Sequence, residues 1–148
     1  MEISQDFREL LESLNSAKVE YLVVGAHALA HHGSPRYTGD LDVLVRRDAE
    51  NSRRAYAALC EFGFGSMQGI DESTFTEEDL VLQLGYPPAR IDFLTEISGV
   101  DWDTAWQGRS TGQLGGIPVH FLGRAELIAN KRATGRPKDL ADIAALGG

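Results

Sequence analysis

Apolar positions along the chain follow two rhythms that alternate from one end to the other. In "SQDFRELLESLNSA", Phe7, Leu10, Leu11 and Leu14 recur at helical spacing, and Ser4 or Asp6 offers a side-chain oxygen to cap the first turn. "EYLVV" is short, apolar and β-branched, which predicts a buried strand. "AHALAHH" has room for about two helical turns before Gly33-Ser34-Pro35 stops it. "LDVLV" reads as the next strand, and "DAENSRRAYAALCEFG" as a helix opened by Asp48 and closed near Gly63. "LVLQLG" and "RIDFLT", on either side of "YPPA", predict a strand pair. "DWDTAWQ" fits a short helical turn and "IPVHFL" a final strand. "RAELIANKRATG" and "PKDLADIAAL" predict two closing C-terminal helices, with Pro137 in the first turn of the second. The alternation predicts an α/β (α+β) fold, with helices packed on a mixed sheet of about five strands.

Composition narrows the class. The chain has 148 residues and no low-complexity tract, so one domain over residues 1–148 is expected. No apolar run approaches the roughly 18 residues that span a bilayer. The first residues, "MEISQDFRELLESL", carry acids where a signal peptide carries bases, so a cytoplasmic location without membrane contact is expected. A net charge of −8 argues against indiscriminate attraction to nucleic acid or anionic lipid. The segment "RAELIANKRATGRPK" runs against that balance, with Arg124, Lys131, Arg132, Arg136 and Lys138 set against Glu126. The single cysteine, Cys60, excludes an internal disulfide and a cysteine-rich metal site, and its apolar neighbours suggest a small core residue.

The chemistry concentrates in "YLVVGAHALAHHGSPRYTGDLDVLV". Side chains alternate along a strand, so Asp40 and Asp42 point one way while Leu41, Val43 and Val45 point the other, into the core. "RIDFL" sets a third acid, Asp92, between Ile91 and Phe93. Converging carboxylates repel one another unless a cation neutralises them, and Asp oxygens are ligands that Mg²⁺ accepts. Each acid also has a plainer reading: Asp40 ends a turn, and Asp92 faces solvent from a half-exposed strand. Ahead of the acids a strand ends at Val24, Gly25 turns without a Cβ, and a helix starts at once. That junction offers backbone N–H groups to an anion.

These residues resemble the signature of the nucleotidyltransferase superfamily, which has the DNA polymerase beta-like fold: a Gly-Gly or Gly-Ser turn, then a spaced Asp-x-Asp, then an acid on a later strand. "HGSPRYTGDLD" and "NKRATGRPKDLADIAAL" are similar to the small bacterial branch that includes abortive-infection-type toxins. The matching blocks are residues 19–45, 90–95 and 124–146. The resemblance implies a single nucleotidyltransferase-like domain that moves NMP from an NTP, ATP among them, to a hydroxyl acceptor and releases pyrophosphate. Asp40, Asp42 and Asp92 would be the catalytic and metal-binding acids for Mg²⁺ or Mn²⁺. Gly25, Ala26, Arg36 and Lys131 would be the nucleotide-binding set. The acceptor stays open among RNA such as tRNA, a protein hydroxyl and a small molecule, and an antitoxin-like protein partner belongs to the same implication. Ala26 stands where the family has Gly or Ser, so the backbone N–H is kept and a hydroxyl is absent.

That departure leaves a catalytically silent nucleotide- or partner-binding module as the alternative. A metal-dependent hydrolase is a third possibility, because three acids specify a metal and not a reaction. Among the remaining residues, Lys131 on a surface helix is expected to tolerate removal without loss of folding. His31 and His32 are expected to cap their helix, His27 lies near the anion seat, and His120 reads as a sheet residue. Trp102 and Trp106 read as a packed helical pair. Asp139 and Asp142 are set to orient Arg136 or Lys131, or to cap the last helix.

Overall fold

The computed structural model describes residues 3–34, 40–63, 69–85 and 90–148. Among them the strands are β1 (Tyr21–Val24), β2 (Asp40–Val45), β3 (Val81–Leu84), β4 (Arg90–Leu94), β5 (Ser110–Leu114) and β6 (Ile117–Phe121). They form one mixed sheet in the order β3-β4-β2-β1-β6-β5. β1 is antiparallel to β2 and parallel to β6, β2 is parallel to β4, and the edges β3 and β5 are antiparallel to their neighbours. The helices are α1 (Gln5–Ser16), α2 (Gly25–His31), α3 (Ala49–Phe62), α4 (Trp102–Gln107), α5 (Arg124–Thr134) and α6 (Pro137–Ala145). The α/β expectation holds, with one strand more than expected. β5 has the sequence "STGQL", in which only Leu114 is apolar, so hydrophobic rhythm does not reveal it. The legible signal was the Gly115-Gly116 pair, both at positive φ, which closes the β5–β6 hairpin.

Local chemistry sets the element ends. Ser4 Oγ accepts a hydrogen bond from the Phe7 N–H at 3.1 Å, and Asp48 Oδ1 accepts one from the Asn51 N–H at 2.7 Å. Phe7, Leu10, Leu11 and Leu14 bury one face of α1. On β2, Leu41, Val43 and Val45 are fully buried. Each such burial is worth about 1.5–3 kcal/mol. A one-residue slip would expose all three and bury Asp40 and Asp42, so the core holds the register. The Asn51 side chain adds a polar tie: it accepts from the Glu20 N–H at 2.7 Å and donates to the carbonyls of Glu20 and Arg46, each at 3.0 Å. The start of β1 and the end of β2 are thereby fixed to α3.

Two expectations are corrected. Cys60 is exposed, because α3 buries Ala55, Ala58 and Leu59 and the next position turns about 100° away from that face. His32 is the C-cap residue of α2 and His31 lies in its last turn, but neither side chain caps the helix. His32 Nε2 meets the Leu122 carbonyl at 2.8 Å, and His31 Nε2 meets Ser110 Oγ at 2.9 Å while its ring stacks on Phe121 at 4.0 Å. Both histidines tie α2 to the β5–β6 side of the sheet. His120 is a β6 residue, and Trp102 and Trp106 stack at 5.3 Å, as expected. Among the described residues no helix is long and apolar enough to cross a membrane.

Candidate functional site

The site is assembled by strand register. β1 sets Val24 opposite Asp42, and the parallel pairing of β2 with β4 sets Asp42 opposite Asp92 and Asp40 opposite Arg90. Partners in register project from the same side of a sheet, so the three acids meet with one arginine among them. Gly25, the first residue of α2, has φ +67°, and a Cβ there would lie 2.1 Å from Asp42 Oδ2. The turn therefore requires glycine twice over, for its backbone conformation and for the carboxylate packed against it.

Charge in this cluster is unevenly matched. Burial pushes the Asp42 carboxyl up to about 6, helped by the charges of Asp92 and Asp40 and by a hydrogen bond with Asp92, with Arg90 pulling the other way. Arg90 Nη2 donates to Asp40 Oδ2 at 2.9 Å and to Asp92 Oδ2 at 3.2 Å. Arg90 Nε lies 3.2 Å from Asp92 Oδ1, yet the two buried atoms are not aligned as a hydrogen bond. Asp92 is 8% exposed, which removes the reading of a solvent-facing strand acid. Asp40 opens β2, with its carboxylate ion-paired to Arg90 at 2.9 Å, and the turn expected before it lies outside the described residues. The donors are hard oxygens on adjacent strands, the ligand type that Mg²⁺ or Mn²⁺ takes. Among the described residues no three His, Cys, Asp or Glu side chains are placed to hold a metal ion as they stand, and Arg90 is ion-paired with both Asp40 and Asp92.

A cleft of about 450 Å³ opens beside the acids, with Gly25, Ala26, Asp40 and Asp42 in its lining. Asn130, Lys131, Arg136 and Lys138, from α5 and the start of α6, also line it. Lys131 is not a solvated surface charge: its side chain is 12% exposed, with Nζ 3.0 Å from Asp142 Oδ2 and 3.6 Å from Asp139 Oδ1. The expectation of a lysine exposed on a surface helix is corrected, because α6 packs on α5 and buries both aspartates against it. Asp139 also accepts from the backbone N–H and guanidinium of Arg136 and from Thr134 Oγ1. These donors hold its carboxyl well below the usual carboxylate range. Asp139 thus caps α6 and orients both cations.

Solved structures resemble this fold across nearly the whole chain. A candidate nucleotidyltransferase from Thermotoga maritima aligns with a TM-score of 0.60 at 17% identity, over 93% of this chain and 88% of its own. An antigenic nucleotidyltransferase-like protein from Paracoccidioides brasiliensis aligns with a TM-score of 0.56 at 18% identity, over 99% of this chain and 78% of its own. The chain has a nucleotidyltransferase-like fold. Its sequence matches no family model and no curated protein.

Within this nucleotidyltransferase-like fold, Gly25, Ala26, Asp40, Asp42 and Lys131 line one cleft, and Asp92, outside that lining, stands opposite Asp42 and is ion-paired with Arg90. Arg36 lies outside the described residues. Sequence reasoning assigned no site role to Arg90, Asn130 or Lys138. Arg90 stands two positions before Asp92 in "RIDFL", the strand spacing that puts both on one face, and this was the available signal. Asn130 gave none, since its use depends on the loop it holds through a 2.9 Å bond to the Ser98 carbonyl. His27 is buried near the acids and edge-on to Phe7 at 6.3 Å. Desolvation lowers its pKa, a contact with the Asp40 backbone opposes the shift, and neither ring nitrogen makes a well-aligned hydrogen bond.

Proposed function

We propose that the protein is a divalent-metal-dependent nucleotidyltransferase that moves NMP from an NTP to a hydroxyl acceptor. The observation that carries this reading is the shared cleft, in which Asp40 and Asp42 lie with Lys131, Arg136 and Lys138 in a nucleotidyltransferase-like fold. Asp40 and Asp42, with Asp92, would hold Mg²⁺ or Mn²⁺, which when bound supplies positive charge to the polyphosphate. The Gly25-Ala26 backbone approaches the phosphates where no side chain fits. Arg136 and Lys138 neutralise charge that develops on the leaving pyrophosphate, and Lys131 adds to that field while fixed by its aspartates. Asp92 accepts the acceptor's hydroxyl proton. The new bond joins acceptor oxygen to the α-phosphorus, and the bond to the β-phosphate oxygen breaks.

The acceptor is an RNA end, a protein hydroxyl or a small polar molecule, and an antitoxin-like partner is compatible with each. The test is incubation with each labelled NTP and Mg²⁺ against separate pools of tRNA, protein lysate and aminoglycoside-like molecules. Label is expected in one pool and absent with Asp42→Asn. In parallel, Mn²⁺ is expected to raise the melting temperature of the native chain and to have little effect on Asp42→Asn. A silent nucleotide-binding module is the second reading, favoured by Ala26 and by the arginine closed on Asp92. Nucleotide binding without label in any pool would select it.

A further inference from the structure

Arg90 is divided between two of the acids it neutralises. An arginine that serves one carboxylate meets it with two N–H donors. Here Nη2 is shared between Asp40 Oδ2 at 2.9 Å and Asp92 Oδ2 at 3.2 Å, and Nε is ion-paired with Asp92 Oδ1 at 3.2 Å without the alignment of a hydrogen bond. One guanidinium thus spans two carboxylates with a third, Asp42, in register beside them, an arrangement for which a divalent cation competes. The side chain is 32% exposed, so it has room to leave towards solvent without disturbing the core. Neither Asp92 nor Arg90 lines the cleft that Asp40 and Asp42 share, and Arg90 joins Asp92 to Asp40 at its edge through Nη2.

We infer that Arg90 is a displaceable counter-cation: it closes Asp92 while no metal is bound and surrenders that carboxylate when a divalent cation enters. The inference rests on the metal-binding reading of the three acids. Two cations of the same sign cannot share one small carboxylate cluster at low cost. Arg90 therefore weakens metal binding by competition and spares the metal-free fold the repulsion of three facing acids. In this role it is a positioning residue. Its removal should weaken the empty protein and strengthen the hold on metal, and these opposite signs distinguish it from an ordinary surface ion pair.

The test compares the native chain with Arg90→Gln by calorimetric Mn²⁺ titration and by melting with and without Mn²⁺. Arg90→Gln should melt lower without metal and bind Mn²⁺ at least about tenfold more tightly. The gain should vanish in the Arg90→Gln/Asp92→Asn double variant. Equal or weaker Mn²⁺ binding in Arg90→Gln overturns the inference, and so does a gain that survives the loss of Asp92. Should Arg90→Gln fail to fold, Arg90→Lys retains a charge too compact to bridge both acids. It should bind Mn²⁺ about threefold more tightly, and an unchanged affinity overturns the inference equally. No Mn²⁺ binding in any variant defeats both this inference and the metal reading. Tighter binding in Arg90→Gln, with no label transfer by the native chain, supports the role of Arg90 and removes only the transferase reading.

Discussion

Two groups of aspartates adjoin the same cleft and differ in how their charge is met. On β2 and β4, Asp40 and Asp92 are both ion-paired with the guanidinium of Arg90, and Asp42 beside them is pushed up to about 6. On α6, Asp139 and Asp142 are met by Lys131, with Arg136 and Thr134 as further donors to Asp139, whose carboxyl is held well below the usual range. Asp139 is fully buried and Asp92 nearly so, so burial alone does not decide the charge state. The difference lies in neighbouring charge: Asp42 faces two further carboxylates, which push it up, whereas Asp139 is met by Arg136 and Thr134, which hold it down.

The contrast breaks most visibly at Lys131. Lys131→Ala takes from buried Asp142 the ammonium that stands 3.0 Å away, and should cost about 3–5 kcal/mol in urea unfolding. Arg132→Ala, on the exposed side of α5, should stay within about 0.5 kcal/mol. Similar losses in the two variants would mean that the α6 cluster does not depend on its lysine.

Acidity separates the two groups next. Asp42 titrates near 6 in the folded chain against 3.8 ordinarily, so between those values the folded state binds more protons than the unfolded one. Stability of the metal-free protein should therefore fall as pH rises through that window, by up to about 3 kcal/mol. Asp139 has the opposite sign: its contribution is complete above the ordinary carboxylate pKa and is lost only as pH falls below it. Melting without metal should thus be higher at pH 5 than at pH 7, and Asp42→Asn should flatten the difference. Saturating Mn²⁺ should reverse the slope, because it favours the ionised acid.

Smaller effects belong to the turn. Gly25→Ala forces a left-handed residue and a methyl group into contact with Asp42, and should cost about 2 kcal/mol together with the thermal response to Mn²⁺. Ala26→Ser adds a hydroxyl at the cleft and should tighten NTP binding about tenfold, read by calorimetry. An unchanged NTP affinity would show that this position does not meet the phosphates.

The parts of the molecule legible in the sequence are those set by short-range pattern. The acids of β2 could be placed because alternation over a few residues fixes which way each side chain points, and Gly25 because a strand, a glycine and a helix follow one another directly. Ser4, Asp48 and Pro137 marked helix starts for similarly local reasons. β5 escaped because "STGQL" has no apolar rhythm of its own and owes its existence to the partner strand β6. The position of Arg90 depends on a parallel register formed across 50 residues, and the burial of Lys131 depends on a second helix folding back over it. Such facts belong to pairs of segments, and a single segment does not carry them.

The order in which those pairs form gives the Asn51 tie and the parallel β2–β4 register a kinetic meaning. Val24 meets Asp42 across a short span of chain, with Asn51 fastening the ends of β1 and β2. Asp42 meets Asp92 only after a far longer loop has closed, and loop closure is entropically slower as contacts become less local. The nascent β1–β2 unit would therefore carry Asp40 and Asp42 as ordinary hydrated carboxylates. The electrostatic stress of the cluster arises when β4 docks, and Arg90 arrives on that same strand. The segment that delivers the third negative charge thus also delivers the positive one, so the closing step of assembly is never opposed by three unscreened acids.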